Sequence, residues 1–407
     1  MTNFRYPLLP DEDKISFKDS SSVDAFGLLR TGYPVSLIDL KQDPLQSLLI
    51  LDLATGSGGD VVYSSSRSSS TLSVSTDSSS YAILQSKQYC FYQPGKSQKI
   101  TMTGILGSSQ PNTVKRIGYF DDNNGLFFEL SRTSLSVVRR SDVSGSVVDT
   151  VIPQIYWNLD RLDGSGASKI SIDFTKAQIF VIDFQWLGVG RIRFGFFNGG
   201  GLTYCHEISN ANNINSVFMR TADLPVRWEI RNTDTPASTA SLEAICASVI
   251  SEGGHDPKGL TFSADNGINT KSIDTTLTPL VQLRHHPSYV RSHAIIKKIS
   301  IFCEAIANYR YELTLNSTAS GDNASWVTIP NSVIQYDVSS TATVSGGTLI
   351  LSGYVSNQVR ETTIDIDNII PFYADIEGNS DILTLAVQRV TGNNAGFAGS
   401  ILWIDLL

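Results

Sequence analysis

The run QIFVIDFQWLGVGRIRFGFF, residues 178–197, constrains this chain more than any other stretch. Phe180, Ile182, Phe184 and Trp186 place a large apolar group at every second position, and Ile192, Phe194 and Phe196 resume the spacing after Leu187, Gly188, Val189 and Gly190. A period of two belongs to a strand, because successive side chains leave opposite faces of the pleat. The positions between turn polar at Asp183, Gln185, Arg191 and Arg193. Two such runs joined by a short glycine-containing turn make a β-hairpin with one buried face, at the centre of a sandwich or barrel.

The rest of the chain reads the same way. In KRIGYFDDNNGLFFE, Asn124-Gly125 marks a hairpin turn between β-formers, and Val226, Trp228 and Ile230 alternate with Arg227, Glu229 and Arg231. Even the serine-rich stretch before Tyr81 alternates at Leu72, Val74 and Thr76, which makes it a serine-faced strand. Only 17% of the 407 residues are charged, and Ser, Thr, Asn and Gly fill the deficit, as in turn-rich β proteins. Gly253-Gly254 followed by Asp256-Pro257 interrupts regular structure, and short β runs separated by turn residues follow it to the end. The fold class is therefore all-β: a central β-sandwich over 49–254 and a C-terminal jelly-roll-like domain over 255–407.

An extended N-terminal arm, residues 1–48, precedes them. Pro7, Pro10, Pro34, the acidic run 11–13 and the serines 20–22 leave it little apolar surface to bury. Within it Val23, Asp24, Ala25, Phe26, Gly27, Leu28, Leu29 and Arg30 form a compact apolar island, read as a partner-docking segment; packing on its own domain is the alternative.

Several function classes are disfavoured. The formal charge of −8 opposes nucleic-acid binding, which needs clustered cations. No apolar run is long enough to span a membrane, and the first residues lack a signal peptide's basic and apolar regions, so synthesis in a cytoplasm is expected. Cys90, Cys205, Cys246 and Cys303 have no metal or redox spacing and read as buried thiols. There is no G-x-S-x-G elbow and no phosphate loop, and His285, His286 and His293 read as packed or surface histidines before metal ligands. Asp121, Asp122, Asp160 and Asp163 sit beside turns, where Asp bonds local backbone; the calcium-loop reading of 121–125 lacks a distal Glu. Asp183 differs, because an unpaired charge inside so apolar a strand is costly. It reads as an ion pair with Arg191 or Arg193, in a polar stripe that either closes internally or forms a subunit contact through Asp183, Arg191 and Arg193. No catalytic, cofactor-binding or metal-ligating residues are assigned, no cofactor is expected, and the chain is read as a non-enzyme.

VDAFGLLRTGYPVSLIDLKQ, QYCFYQPGKSQKITMTG, KRIGYFDDNNGLFFEL, WNLDRLDGSG, the opening hairpin, DLPVRWEIRNT and WVTIPNSVIQYD together resemble a virion structural protein family of tailed bacteriophages, of the marine and cyanobacterial type. The resemblance implies a particle component on the head, neck or tail, located in the virion. It would assemble as a homo-oligomer, expected to be a trimer, and dock through its arm on other virion proteins (capsid, neck or tail). The alternative is a receptor-binding or lectin-like module that recognises host surface glycan.

Overall fold

The computed structural model describes residues 23–26, 33–43, 45–48, 50–132, 134–256, 258–268, 270–304, 308–320, 324–355, 361–366 and 370–406. Its architecture is all-β. The chain divides into two units: one takes the described residues within Met1–Leu45, Thr55–Ile83 and Tyr92–His255, the other those within Gln46–Ala54, Leu84–Phe91 and Asp256–Leu407. Gln46–Ala54 and Leu84–Phe91, at or inside the stretch read from sequence as the central domain, thus belong with the C-terminal unit.

The strands up to residue 252 are β1 (Val35–Lys41), β2 (Leu51–Gly56), β3 (Asp60–Ser64), β4 (Ser69–Val74), β5 (Tyr81–Ser86), β6 (Ser97–Ile105), β7 (Thr113–Phe120), β8 (Gly125–Ser131), β9 (Ser134–Ser141), β10 (Val148–Pro153), β11 (Gln178–Phe184), β12 (Arg191–Asn198), β13 (Gly201–Ser209), β14 (Val226–Asn232) and β15 (Ala240–Glu252). They form two antiparallel sheets. One runs β13-β12-β11-β6-β15-β4-β3, with β1 also on β15; the other runs β10-β9-β8-β7-β14-β5-β2.

The opening hairpin is β11–β12, with Phe180 opposite Phe196, Ile182 opposite Phe194 and Asp183 opposite Arg193. Its phenylalanines meet Phe128 of the facing sheet, whose ring centroid lies 5.2 Å from Phe180, 5.4 Å from Phe194 and 4.9 Å from Phe196. Such aromatic packing adds to the burial term that holds sheet on sheet. The connecting turn takes left-handed backbone at Leu187 and Gly188. Trp186, expected to continue the inward face, lies past the end of β11 and donates its indole N–H to the Met219 carbonyl.

Two described parts of the expected arm are built into the first unit. Val35–Lys41 is β1, antiparallel to β15, with Ile38 and Leu40 buried and Asp39 and Lys41 exposed. That four-residue alternation was masked by the surrounding prolines and acids. Val23, Asp24 and Ala25 are buried, while Gly27, Leu28, Leu29 and Arg30 lie outside the described residues.

The second unit stacks a five-stranded sheet on a six-stranded one, beside a two-stranded ribbon. Ile299, Ile301, Phe397 and Trp403 from the first meet Leu283, Tyr309, Leu313 and Leu385 from the second in one core. Both units are β-sandwiches.

Candidate functional site

Three polar constellations stand out against these cores, and all lie in the first unit. The first is on the outward face of β11 and β12. Arg193 Nη2 reaches Asp183 Oδ2 at 2.5 Å, and neither side chain is exposed. The Tyr204 hydroxyl donates to the same oxygen at 2.6 Å, Ser97 donates to Oδ1 at 3.0 Å, and the Arg193 guanidinium lies 4.2 Å from the Tyr204 ring centre. Arg193 also donates to the Val23 carbonyl at 2.8 Å, and Arg191 to the Asp24 and Ala25 carbonyls, each at 3.1 Å. The Ala25 amide closes the circuit on Ser97 Oγ.

The stripe therefore closes within the chain. Asp183 and Arg193 are no subunit contact, because a fully buried pair presents nothing to a neighbour. Arg191 is partly exposed, and its described partners are Glu207 and the 24–25 backbone. The described part of the docking island, Val23 to Ala25, has its carbonyls held by its own sheet, because arginines there donate to them.

The second constellation covers the outward face of the other sheet. Arg116 stands between Glu129 and Glu229 on the flanking strands and bonds each at 2.8 Å. Arg227 bonds Glu229 at 2.6 Å and Asp122 at 2.9 Å, Arg231 bonds Glu229 at 3.0 Å, and Arg140 takes Asp149 at 2.8 Å. The guanidiniums of Arg116, Arg140 and Arg227 lie over Phe127 and Phe120, between 5.2 and 5.9 Å from the ring centres. Burial would raise the Glu229 carboxyl, but Arg227, Arg116 and Arg231 outweigh it and hold the group at about 2. Sequence showed the alternation of Arg227, Glu229 and Arg231, but not that Glu229 would be surrounded by cations from three positions.

This arrangement bears on catalysis. A glycoside-cleaving pair needs one carboxylic acid protonated near neutral pH. Glu229 is held ionised and so is not placed to give a proton, and Glu129 is engaged by Arg116.

The third constellation is a groove of about 390 Å3 where β9 and β10 meet the segment after β13. Its polar lining is Arg139 with the hydroxyl residues Ser141, Ser144, Thr150 and Ser216; Val148 and Val217 are among its aliphatic residues. Arg139 donates to Asn210 Oδ1 at 3.1 Å and Thr150 Oγ1 at 3.4 Å. Asn210 is itself fixed by donating to the Gly190 carbonyl. No sequence motif pointed to this groove, because its lining is drawn from three separated segments.

His206 and His285 fall into packed positions, while His255, His286 and His293 are partly exposed. His206 accepts from the Asn158 amide and is brought down to about 4 by burial; His285 stacks on Phe372 at 4.6 Å. Asp121 accepts from the Asn123 and Asn124 amides of its own turn. Among the described residues no cluster of three His, Cys, Asp or Glu could hold a metal, and no disulfide joins Cys90, Cys205, Cys246 and Cys303.

No family model and no curated protein matches the chain. Solved structures similar to it include a protein of unknown function from Shewanella oneidensis MR-1, at 9% identity and TM-score 0.37 over 58% of this chain and 94% of that one. A legume lectin-like domain from Entamoeba histolytica matches at 10% identity and TM-score 0.30, over 53% and 97%. A glycoside hydrolase family 16 endo-glucanase from Bacteroides ovatus matches at 7% identity and TM-score 0.35, over 52% and 99%.

Proposed function

We propose that this protein is a non-catalytic structural component that self-associates through the free edge of its β10 strand. The observation that carries this reading is apolar exposure at that edge. β10 ends the seven-stranded sheet and pairs with β9; among the described residues no strand covers its other side. Val151 is 47% exposed, and the turn that follows presents Ile155 at 60% and Tyr156 at 71%. An open strand edge bearing apolar side chains invites pairing, and soluble proteins cover or charge such edges. A second copy of the chain is the natural cover, since homo-oligomers close by symmetry. The ionised Glu229, ringed by arginines, supports a scaffold over a hydrolase. The setting we infer is the tailed-phage particle that the sequence resembles, with a trimer as the expected assembly.

Sedimentation of the full chain tests this. Wild type should run as an oligomer, and Val151→Lys with Ile155→Lys should run as a folded monomer of 44.3 kDa. A monomeric wild type sinks the assembly reading. Mass spectrometry of purified particles tests the setting, and absence of the chain from them would remove it.

A second reading is recognition of a surface glycan. The groove favours it: hydroxyl donors beside aliphatic side chains match a sugar's alternation of hydroxyls and C–H faces, and the volume lies in the roughly 300–1,000 Å3 range of small-ligand sites. Binding of any saccharide to the full chain that is lost in Ser144→Trp would support it. Silence across neutral and charged saccharides would end it.

A further inference from the structure

We infer that the β9–β10 groove selects an acidic saccharide, whose carboxylate pairs with the Arg139 guanidinium while its ring hydroxyls meet the serine and threonine rim. This rests on the glycan reading above and adds the charge of the ligand.

The argument begins with the other arginines of the same sheet. Arg116, Arg140, Arg227 and Arg231 each bond at least one carboxylate. Arg139 follows the opposite parity on β9 and faces the groove, and among the described residues no ion pair joins it to an acid. Its partners, Asn210 Oδ1 and Thr150 Oγ1, are neutral side-chain oxygens, and its Nε is buried with no hydrogen-bond partner. A guanidinium offers donors in a planar fork suited to a carboxylate, so this one, lining a site large enough for a ligand, is held by neutral oxygens where a carboxylate could bind it.

The neighbouring charges sharpen the point. Asp142, in the turn beside the groove, is taken by Arg220, and Asp149 on β10 is taken by Arg140. The acids nearest in sequence are thus engaged elsewhere, and the positive charge at Arg139 is left uncompensated. Burial lowers the pKa of Arg139, with no carboxylate acting against that shift. An incoming anion would offset this desolvation, whereas a neutral ligand would deepen it.

One carboxylate on the sugar ring that occupies the groove, as each ring of a uronate chain carries, fits better than a phosphate or sulfate cluster. One arginine and a ring of hydroxyls match one negative charge on a polyhydroxylated ligand. A multiply charged phosphate or sulfate surface calls for several clustered cations, and the lining contains Arg139 alone.

Calorimetry on the full chain tests the inference with oligogalacturonate, dextran sulfate and maltoheptaose as probes. Oligogalacturonate should bind at least about tenfold more tightly than maltoheptaose, as one charge-assisted pair implies. Arg139→Gln should abolish that preference, and Arg139→Lys should keep part of it, having the charge without the fork. Ser144→Trp, in the exposed turn, should block binding of both sugars while leaving the arginine in place. The inference fails if the two sugars bind equally, if the preference persists in Arg139→Gln, or if dextran sulfate binds more tightly irrespective of residue 139. In those cases the glycan reading stands wherever Ser144→Trp still blocks a sugar. If no probe binds wild type, both readings fall.

Discussion

Asp183 and Arg193 face each other across β11 and β12 as a 2.5 Å ion pair with no exposure of either side chain. Buried charges are tolerated only in company, so the consequence of removing one differs from that of removing both. Arg193→Met takes the buried cation away from Asp183, leaving the hydroxyls of Tyr204 and Ser97 on its carboxylate, and should cost about 3–5 kcal/mol in urea denaturation. Adding Asp183→Asn should recover part of that loss. A double variant no more stable than Arg193→Met would show that the two side chains are not coupled. Reversing the charge at Arg193 should unfold the unit, not merely weaken assembly.

The same cluster sets the effect of shortening the N-terminus. Removing residues 1–22 leaves the Val23, Asp24 and Ala25 carbonyls on Arg193 and Arg191, while removing 1–26 takes them away. Each lost hydrogen bond to a charged group is worth roughly 1.5–3 kcal/mol, less at the partly exposed Arg191 than at the buried Arg193. The longer truncation should therefore unfold at a clearly lower urea concentration than the shorter. Equal midpoints would mean that the segment is a passive cover.

These residues also show what sequence could and could not disclose. Periodicity exposed the strands and the inward face of the hairpin, because burial on a sheet repeats every second residue whatever lies opposite. Asp183 stood out for the same reason, as a charge in an apolar run. Its partner was narrowed to Arg191 or Arg193, since strand pairing restricts neighbours but register chooses between them. The role of Val23 to Ala25 was out of reach, because backbone carbonyls carry no sequence signature. The Arg139 groove was hidden likewise, for its lining joins residues 139–150 to 214–218, and no local pattern encodes that meeting.

Gly125 has a cause that the Asn-Gly pattern gave only in part. The loop is Asp121 to Asn124, closed by Asp121 N–H donating to the Asn124 carbonyl, and Gly125 opens β8 at φ +153°. A Cβ there would sit 2.0 Å from the Phe120 Cβ. Gly145, at φ +88°, has nothing within 4 Å of the same added atom. Gly145→Ala should therefore cost only backbone strain, about 1–2 kcal/mol, and Gly125→Ala clearly more by thermal or urea unfolding. Similar losses would show that the approach to Phe120 relaxes freely.

Acid sensitivity should divide into two windows with different owners. His285 is 1% exposed; burial, then His293 and Arg291, bring it from 6.5 to about 3. Above pH 6.5 the group is neutral folded or unfolded, and its contribution is fully present. As pH falls below 6.5 the unfolded chain takes a proton that the folded chain refuses, so stability drops by about 1.4 kcal/mol per pH unit for this one site until about pH 3. His206, held at about 4, acts in the same direction. Glu229 enters lower down: its folded value of about 2 lies below the ordinary 4.5, so its contribution is present above 4.5 and is lost as pH falls towards 2. Urea midpoints between pH 7.5 and 5 should thus decline with the slope of the histidines. His285→Phe should reduce that slope by close to one proton, whatever it does to absolute stability. An unchanged slope would mean that His285 accepts its proton in the folded state, and the packing against Phe372 would then have to yield on acidification.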